Sequence, residues 1–267
     1  MGPKWYLSWQ RWLVFKDSIF LPEIRLSEFE AVVFDLDSTL TDTSSYPYKA
    51  SLWILKQSSE NYEDIIKEYI PRLVKNYQLE LKRISDGEEY KSPFHCVRDA
   101  TIATLKEYDI HPKPSILKKG IEQFKSFHVK YSQLQPGTKQ VLDALKKLKL
   151  RLGIITNSWE GHAPIILEKL SIASYFDSII DPGTVKAYKP MGQIFQRVLS
   201  DLDVAAEDTV FVGDEFYADI VGAGRFGLRT IWINQHDRLL KEFLDIYGSS
   251  FHPDVVIKDI SELLEFL

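Results

Sequence analysis

The sequence predicts an α/β fold: an open, doubly wound parallel sheet with an α-helical domain inserted into it. Three features of the 267 residues lead there. Short apolar runs end repeatedly in polar residues, helix-period stretches alternate with them, and one long, purely helical stretch interrupts the alternation early in the chain. Continuous apolar runs of a few residues suit strands buried on both faces, as in parallel sheets. Strand–helix alternation is the pattern of doubly wound domains.

The first strand is Ala31-Val32-Val33-Phe34, running into Asp35-Leu36-Asp37-Ser38-Thr39-Leu40. Residues i and i+2 of an extended segment project to one side, so Asp35 and Asp37 present two carboxylates where the strand stops. Such neighbours raise each other's pKa unless a cation or a division of labour accommodates them. The competing reading of this hexapeptide is an Asp-rich turn, since Asp, Ser and Thr favour turns.

From 43 to 135 the pattern is helical. Ile65, Ile66, Tyr69 and Ile70 form one group, Val97, Ala100, Thr101, Thr104 and Leu105 a second, and Ile116, Ile121, Phe124 and Phe127 a third. Pro47, Pro71, Pro93, Pro112 and Pro114 are expected at helix edges. A structureless loop of this length does not suit a compact domain, so 43–135 reads as an inserted helical domain. Strands are then expected within 150–157, 176–181, 209–214 and 230–234, with a short edge strand at 255–257. Between them lie helical stripes: Val141, Leu142, Leu145 and Leu148 after Gly137-Thr138, then Ile194, Phe195, Val198 and Leu199, and a shorter one over 220–225. The α/β domain therefore comprises 29–42 and 136–267.

Residues 1–28 form an aromatic extension in which Trp5, Trp9, Trp12, Leu13, Ile19 and Phe20 could line one helical face. Packing on its own domain is one reading of that stripe, and docking on a membrane surface or a partner chain is another. Gln10, Arg11, Lys16 and Asp17 break the segment, so a secretory signal is not expected. A net charge of −5 and a pI near 5.7 supply no basic field for nucleic acid. The single cysteine, Cys96, excludes an intrachain disulfide framework and accords with a cytoplasmic location. No apolar run approaches a membrane span.

In open α/β sheets ligands bind beyond the carboxyl ends of the strands. Polar residues gather there: Asp35 and Asp37, then Thr156-Asn157-Ser158, then Gly213-Asp214 with Asp219 downstream, and Lys189-Pro190 in a loop between the last two groups. Carboxylates, a hydroxyl and one cation suit a phosphate ester and a magnesium ion.

Asp35-x-Asp37-x-Thr39, Thr156, Lys189 and Gly213-Asp214 with Asp219 occur in the order in which the motifs of the haloacid dehalogenase-like superfamily occur. The chain resembles that family over roughly residues 29–260, in its phosphatase branch with a helical cap after the first strand. The resemblance implies a Rossmann-like core, a cap at 43–135, and a Mg²⁺-dependent phosphohydrolase acting on a small phosphorylated metabolite through an aspartyl-phosphate. It implies Asp35 as nucleophile, Asp37 as acid and base, and Thr39 as a loop tie. Thr156, Asn157 (through backbone amides) and Lys189 would hold the phosphoryl group. Asp35, the backbone carbonyl of Asp37, Asp214 and Asp219 would hold Mg²⁺, with Asp219 alternatively an N-cap. For Asp37 to act as acid and base its pKa should lie above the ordinary carboxylate value. Dehalogenating members lack this second Asp. Glu215 replaces the small hydroxyl residue common after Asp214, and Lys186 is the rival to Lys189. Within the cap, Tyr90, His95, Arg98, His111 and Trp53 could reach a leaving group, but none is assigned to the site. Alternatives on the same fold are a phosphomutase and a regulatory or docking protein; the oligomer expected is a monomer or homodimer.

Overall fold

A computed structural model describes residues 24–267. Strand β1 (Ala31–Phe34) is fully buried and stands at the middle of the sheet. It leads into the short strand β2 (Thr41–Asp42) and then into four helices: α1 (Ser45–Lys56), α2 (Tyr62–Ser85), α3 (Pro93–Glu107) and α4 (Pro114–Tyr131). Strand β3 (Gln133–Leu134) pairs antiparallel with β2, so the helical unit leaves and rejoins the sheet domain through one two-stranded neck. Then follow α5 (Thr138–Lys147), β4 (Arg151–Ile155), α6 (His162–Lys169), β5 (Ser178–Ile180), α7 (Pro182–Val185), α8 (Gly192–Leu202) and β6 (Thr209–Gly213). A π-helical turn over Phe216–Val221 continues into α9 (Gly222–Arg225), followed by β7 (Arg229–Ile233), α10 (Leu240–Tyr247), β8 (Val255–Ile257) and a 3-10 helix over Ile260–Phe266.

The order in the sheet is β5-β4-β1-β6-β7-β8, every pair parallel. Alternation along β1 divides the core into two layers. Val32 and Phe34 pack with Val141, Leu142 and Leu145 of α5, whereas Ala31 and Val33 pack with Ile194, Phe195 and Val198 of α8. A Cβ at Gly153 would lie 2.8 Å from Val198 Cγ2, so this glycine lets α8 approach the sheet closely. In the register, Phe34 lies beside both Ile154 and Val212. The loops after β1, β4 and β6 therefore leave the sheet at one level, which is what brings their polar residues together.

In the helical unit α1 packs on α4 and α2 on α3. Ile54, Ile66, Tyr69, Leu105, Ile121 and Phe124 form its core, and core-domain Trp159 joins them. Pro93 and Pro114 open their helices, as expected. Pro71 does not mark a helix edge: it lies within α2, on the exposed side. Proline inside a helix removes one backbone hydrogen bond and crowds the preceding turn. Here burial of Ile66, Tyr69, Leu73, Leu81 and Ile84 on the opposite side keeps the helix continuous. Ile24 and Leu26, placed by sequence in the aromatic extension, are buried in the main core. The Trp5–Trp9–Trp12 stripe lies outside the described residues. No helix among those described is long and apolar enough to cross a membrane.

Candidate active site

The site lies at the carboxyl ends of β1, β4 and β6, beneath the helical unit. A cavity of about 210 Å³ opens there, and Asp35, Asp37, Thr156, Asn157, Lys189, Asp214 and Asp219 all line it. These seven residues thus arrive at one place, from segments up to 184 residues apart.

Lys189 is the electrostatic centre. Its side chain is 2% exposed, and Nζ donates to Asp35 Oδ1 at 2.5 Å and pairs with Asp219 Oδ1 at 2.8 Å. Burial alone would lower the ammonium pKa, but the charges of Asp219 and Asp35 overcome this and raise it. Its position is set by Asn157. The carboxamide Nδ2 donates to the Lys189 carbonyl at 3.0 Å, and Oδ1 accepts from the Lys189 N–H at 2.8 Å. Asn157 thus spends both polar ends of its side chain on the lysine loop, leaving its backbone for any role toward a ligand. Lys186 stands apart, 62% exposed beside Glu160, whereas Lys189 lines the cavity.

Asp35, Asp214 and Asp219 each offer an oxygen within 4.8 Å of the others. Burial, then the repulsion of Asp219 and Asp37, outweighs the pull of Lys189 and pushes the Asp35 carboxyl up to about 7. Burial and the charges of Asp35, Asp219 and Glu215 push Asp214 well above its ordinary range. Asp35 Oδ2 is buried with no partner among the described residues. An oxygen-only donor set, strained by its own repulsion and with a buried oxygen unused, fits a hard divalent cation. Asp219 fits that set less directly. Besides Lys189, it accepts the Glu215 N–H at Oδ2 (2.9 Å), and it lies inside the π-helical turn, not at an N-cap. The same carboxylate explains Gly213, where a Cβ would lie 2.3 Å from Asp219 Oδ2.

Asp37 departs from expectation. Burial pushes its carboxyl up, but the charge and hydrogen bond of His128 and a hydrogen bond from Ser158 prevail, and the pKa falls below the ordinary carboxylate value. His128 Nε2 lies 2.9 Å from Asp37 Oδ1, and its Nδ1 lies 3.2 Å from Nδ1 of His162. His128 is fully buried on α4 of the helical unit, so the floor's second carboxylate is held from the roof. Nothing in the spacing of His128 or His162 marks them in the sequence; the contacts span 91 and 34 residues. Thr39 also departs: its hydroxyl is buried without a partner among the described residues, and Thr41 Oγ1 ties the loop instead by donating to the Leu36 carbonyl at 3.0 Å. Thr156 Oγ1 accepts the Ser158 N–H at 3.1 Å, leaving its own O–H free to donate.

The sequence profile of the haloacid dehalogenase-like hydrolases matches residues 32–233, from β1 through β7. The chain belongs to this family. Among relatives, glyceraldehyde 3-phosphate phosphatase of Pyrococcus abyssi is 29% identical over 208 residues, covering 76% of this chain and 80% of the relative. N-acylneuraminate-9-phosphatase of Rattus norvegicus is 30% identical over 217 residues, covering 79% and 84%. The solved structure of the HAD-hydrolase YfnB from Bacillus subtilis, bound to magnesium, shares the fold. Its TM-score is 0.73 at 21% identity, with 90% of this chain and 99% of that one covered. The protein is a haloacid dehalogenase-like phosphatase with an α/β Rossmann-like core.

In this phosphatase the helical unit meets the floor through named contacts. Tyr77 O–H donates to the Asn157 carbonyl at 3.0 Å, and Gln78 Nε2 donates to Glu215 Oε1 at 3.1 Å. Glu215 is thereby engaged by the roof. Tyr90 is bonded to Glu160, His95 to Ser92, Arg98 to Asp99 and His111 to Asp109; neither these four nor Trp53 lines the cavity.

Proposed function

We propose that the protein is a Mg²⁺-dependent phosphohydrolase that cleaves a small phosphate monoester by way of an aspartyl-phosphate on Asp35. The observation supporting it best is the convergence of Asp35, Asp214 and Asp219 around Lys189 at the ends of β1 and β6. Mg²⁺, held by Asp35, Asp214 and the Asp37 backbone carbonyl with Asp219 adding charge, would screen repulsion between the floor and an anionic ester.

A carboxylate oxygen of Asp35 attacks phosphorus, the new O–P bond forms, and the ester P–O bond breaks toward the leaving oxygen. Lys189 and the Thr156 hydroxyl hold the phosphoryl oxygens. The leaving oxygen needs a proton, and Asp37, with Oδ1 2.9 Å from His128 Nε2, would deliver it. Once the alcohol departs, the same carboxylate accepts a proton from the water that attacks the aspartyl-phosphate. The lowered pKa of Asp37 keeps its carboxylate ionised and open to a proton in the second half of this cycle, and counts against it as the donor in the first. The roof excludes bulk water during both. A small phosphorylated metabolite, a cytoplasmic location and a monomer or homodimer accord with this reading.

Rapid acid quench after mixing with radiolabelled monoester and Mg²⁺ should trap a phosphoenzyme that hydroxylamine discharges. Label retained by Asp35→Asn would place the nucleophile elsewhere and end this mechanism.

A further inference from the structure

The floor of the cavity carries the carboxylates of Asp35, Asp37, Asp214, Glu215 and Asp219, against the single ammonium of Lys189. The opposite wall is built differently. Every residue that α1 to α4 contribute is apolar or aromatic, Pro47, Leu73, Val74, Val97 and Phe124 among them, and Trp159 of the sheet domain closes the side. Among the described residues, no lysine, arginine or histidine of the helical unit lines the cavity. Three cations beside this wall in sequence are held elsewhere, Lys91 by Glu80 and Asp99, Arg98 by Asp99, and Arg72 by Glu107, while Lys75, next to Val74, borders the adjoining cavity.

A monoester bound with its phosphoryl group at Lys189 must place its leaving group against that wall. A carboxylate or second phosphate there would lose its water and gain no cation from the wall. An uncharged hydrocarbon or aromatic group would instead bury apolar surface on apolar surface. We propose that the substrate of this site is a phosphate monoester of an uncharged, apolar or aromatic alcohol. This deepens the phosphohydrolase reading and rests on it for turnover, though not for binding. One route could accommodate an acid: a neighbouring cavity bordered by Lys75, Lys82 and Arg238 shares Asn157, Lys189 and Glu215 with the first. Glu215 stands where the two meet and is bonded to Gln78, Lys82 is paired with Asp86 at 2.7 Å, and Arg238 donates to the Asp214 carbonyl at 2.6 Å.

The test uses non-hydrolysable ligands with the full chain and Mg²⁺: calorimetric Kd values for benzylphosphonate and its para-carbamoyl and para-carboxy derivatives. The carbamoyl and carboxy groups are close in shape and differ in charge. The carboxy compound is expected to bind about tenfold or more weakly than the carbamoyl one, in line with an unpaired buried charge. Val74→Lys, at a position 45% exposed on the rim, should shrink that ratio about fivefold by supplying the missing cation. Equal or tighter binding of the carboxy compound, or failure of all three to bind, overturns the proposal. Turnover of para-nitrophenyl phosphate is measured in parallel. Binding that follows the expected order without turnover would sink the hydrolase reading and leave the pocket assignment standing.

Discussion

The floor and the roof of the site differ in almost every physical respect. The floor is assembled from loops at the ends of three parallel strands, is crowded with buried charge, and is held by a rigid sheet whose β1 is wholly buried. The roof comes from four helices joined to the sheet through a single two-stranded neck, and it presents uncharged side chains. Chemistry demands groups fixed to a fraction of an ångström, which strands and short loops supply. Selection among leaving groups demands only a surface of suitable polarity, which any packed helical unit can offer. The two regions can therefore change independently, except where His128, Tyr77 and Gln78 cross between them.

Asp35→Asn strikes the floor hardest. It is expected to reduce Mg²⁺-dependent turnover of para-nitrophenyl phosphate by about 10³-fold or more, with the circular dichroism spectrum and Tm nearly unchanged. Lys189→Met tests whether the floor is also a stability element. It leaves Asp35 and Asp219 buried without their cation, and denaturant unfolding without metal should show a loss of about 3–5 kcal/mol. Added Mg²⁺ should recover part of that loss. Gly213→Ala drives a methyl against Asp219 Oδ2, and a cost of about 1–3 kcal/mol with weakened Mg²⁺ binding is expected.

The roof–floor junction gives smaller effects. Burial, then the charge of His128, lowers the pKa of His162 to about 4, below the ordinary histidine value of 6.5. Between those values the unfolded chain binds a proton that the folded protein refuses. This stability is therefore complete above pH 6.5 and is lost as pH falls toward 4, by about 1–2 kcal/mol. Unfolding curves of His162→Gln should lack this part of the pH slope. Tyr77→Phe removes only the bond to the Asn157 carbonyl, about 0.5–1.5 kcal/mol. A rise in KM with little change in kcat would mark the roof as a binding surface, while an equal fall in kcat would show it shaping the floor.

Much of the floor was legible from local chemistry. Val32-Val33-Phe34 and Val210-Phe211-Val212 read as buried strands because β-branched and aromatic residues fit that environment, and Asp35, Thr156 and Asp214 follow directly at the ends. Pro71 misled because helix propensity is a weak local preference, outweighed here by the burial of Ile66, Tyr69 and Leu73 on the far side of α2. Thr39 and Thr41 could not be told apart, since both hydroxyls sit in one turn and only its geometry gives Thr41 the Leu36 carbonyl. The direction of the Asp37 shift was out of reach, because the histidine responsible comes from another element.

By itself, the amino-acid order determined the strands, the inserted helices and the acidic and basic groups at the strand ends, because each follows from interactions among residues near in sequence. Only the tertiary structure decided that Lys189 faces Asp35 and Asp219, that His128 holds Asp37, and that the helical side of the cavity is lined by uncharged residues. Those outcomes depend on which side chains meet across long separations, and on how much water is expelled when they do.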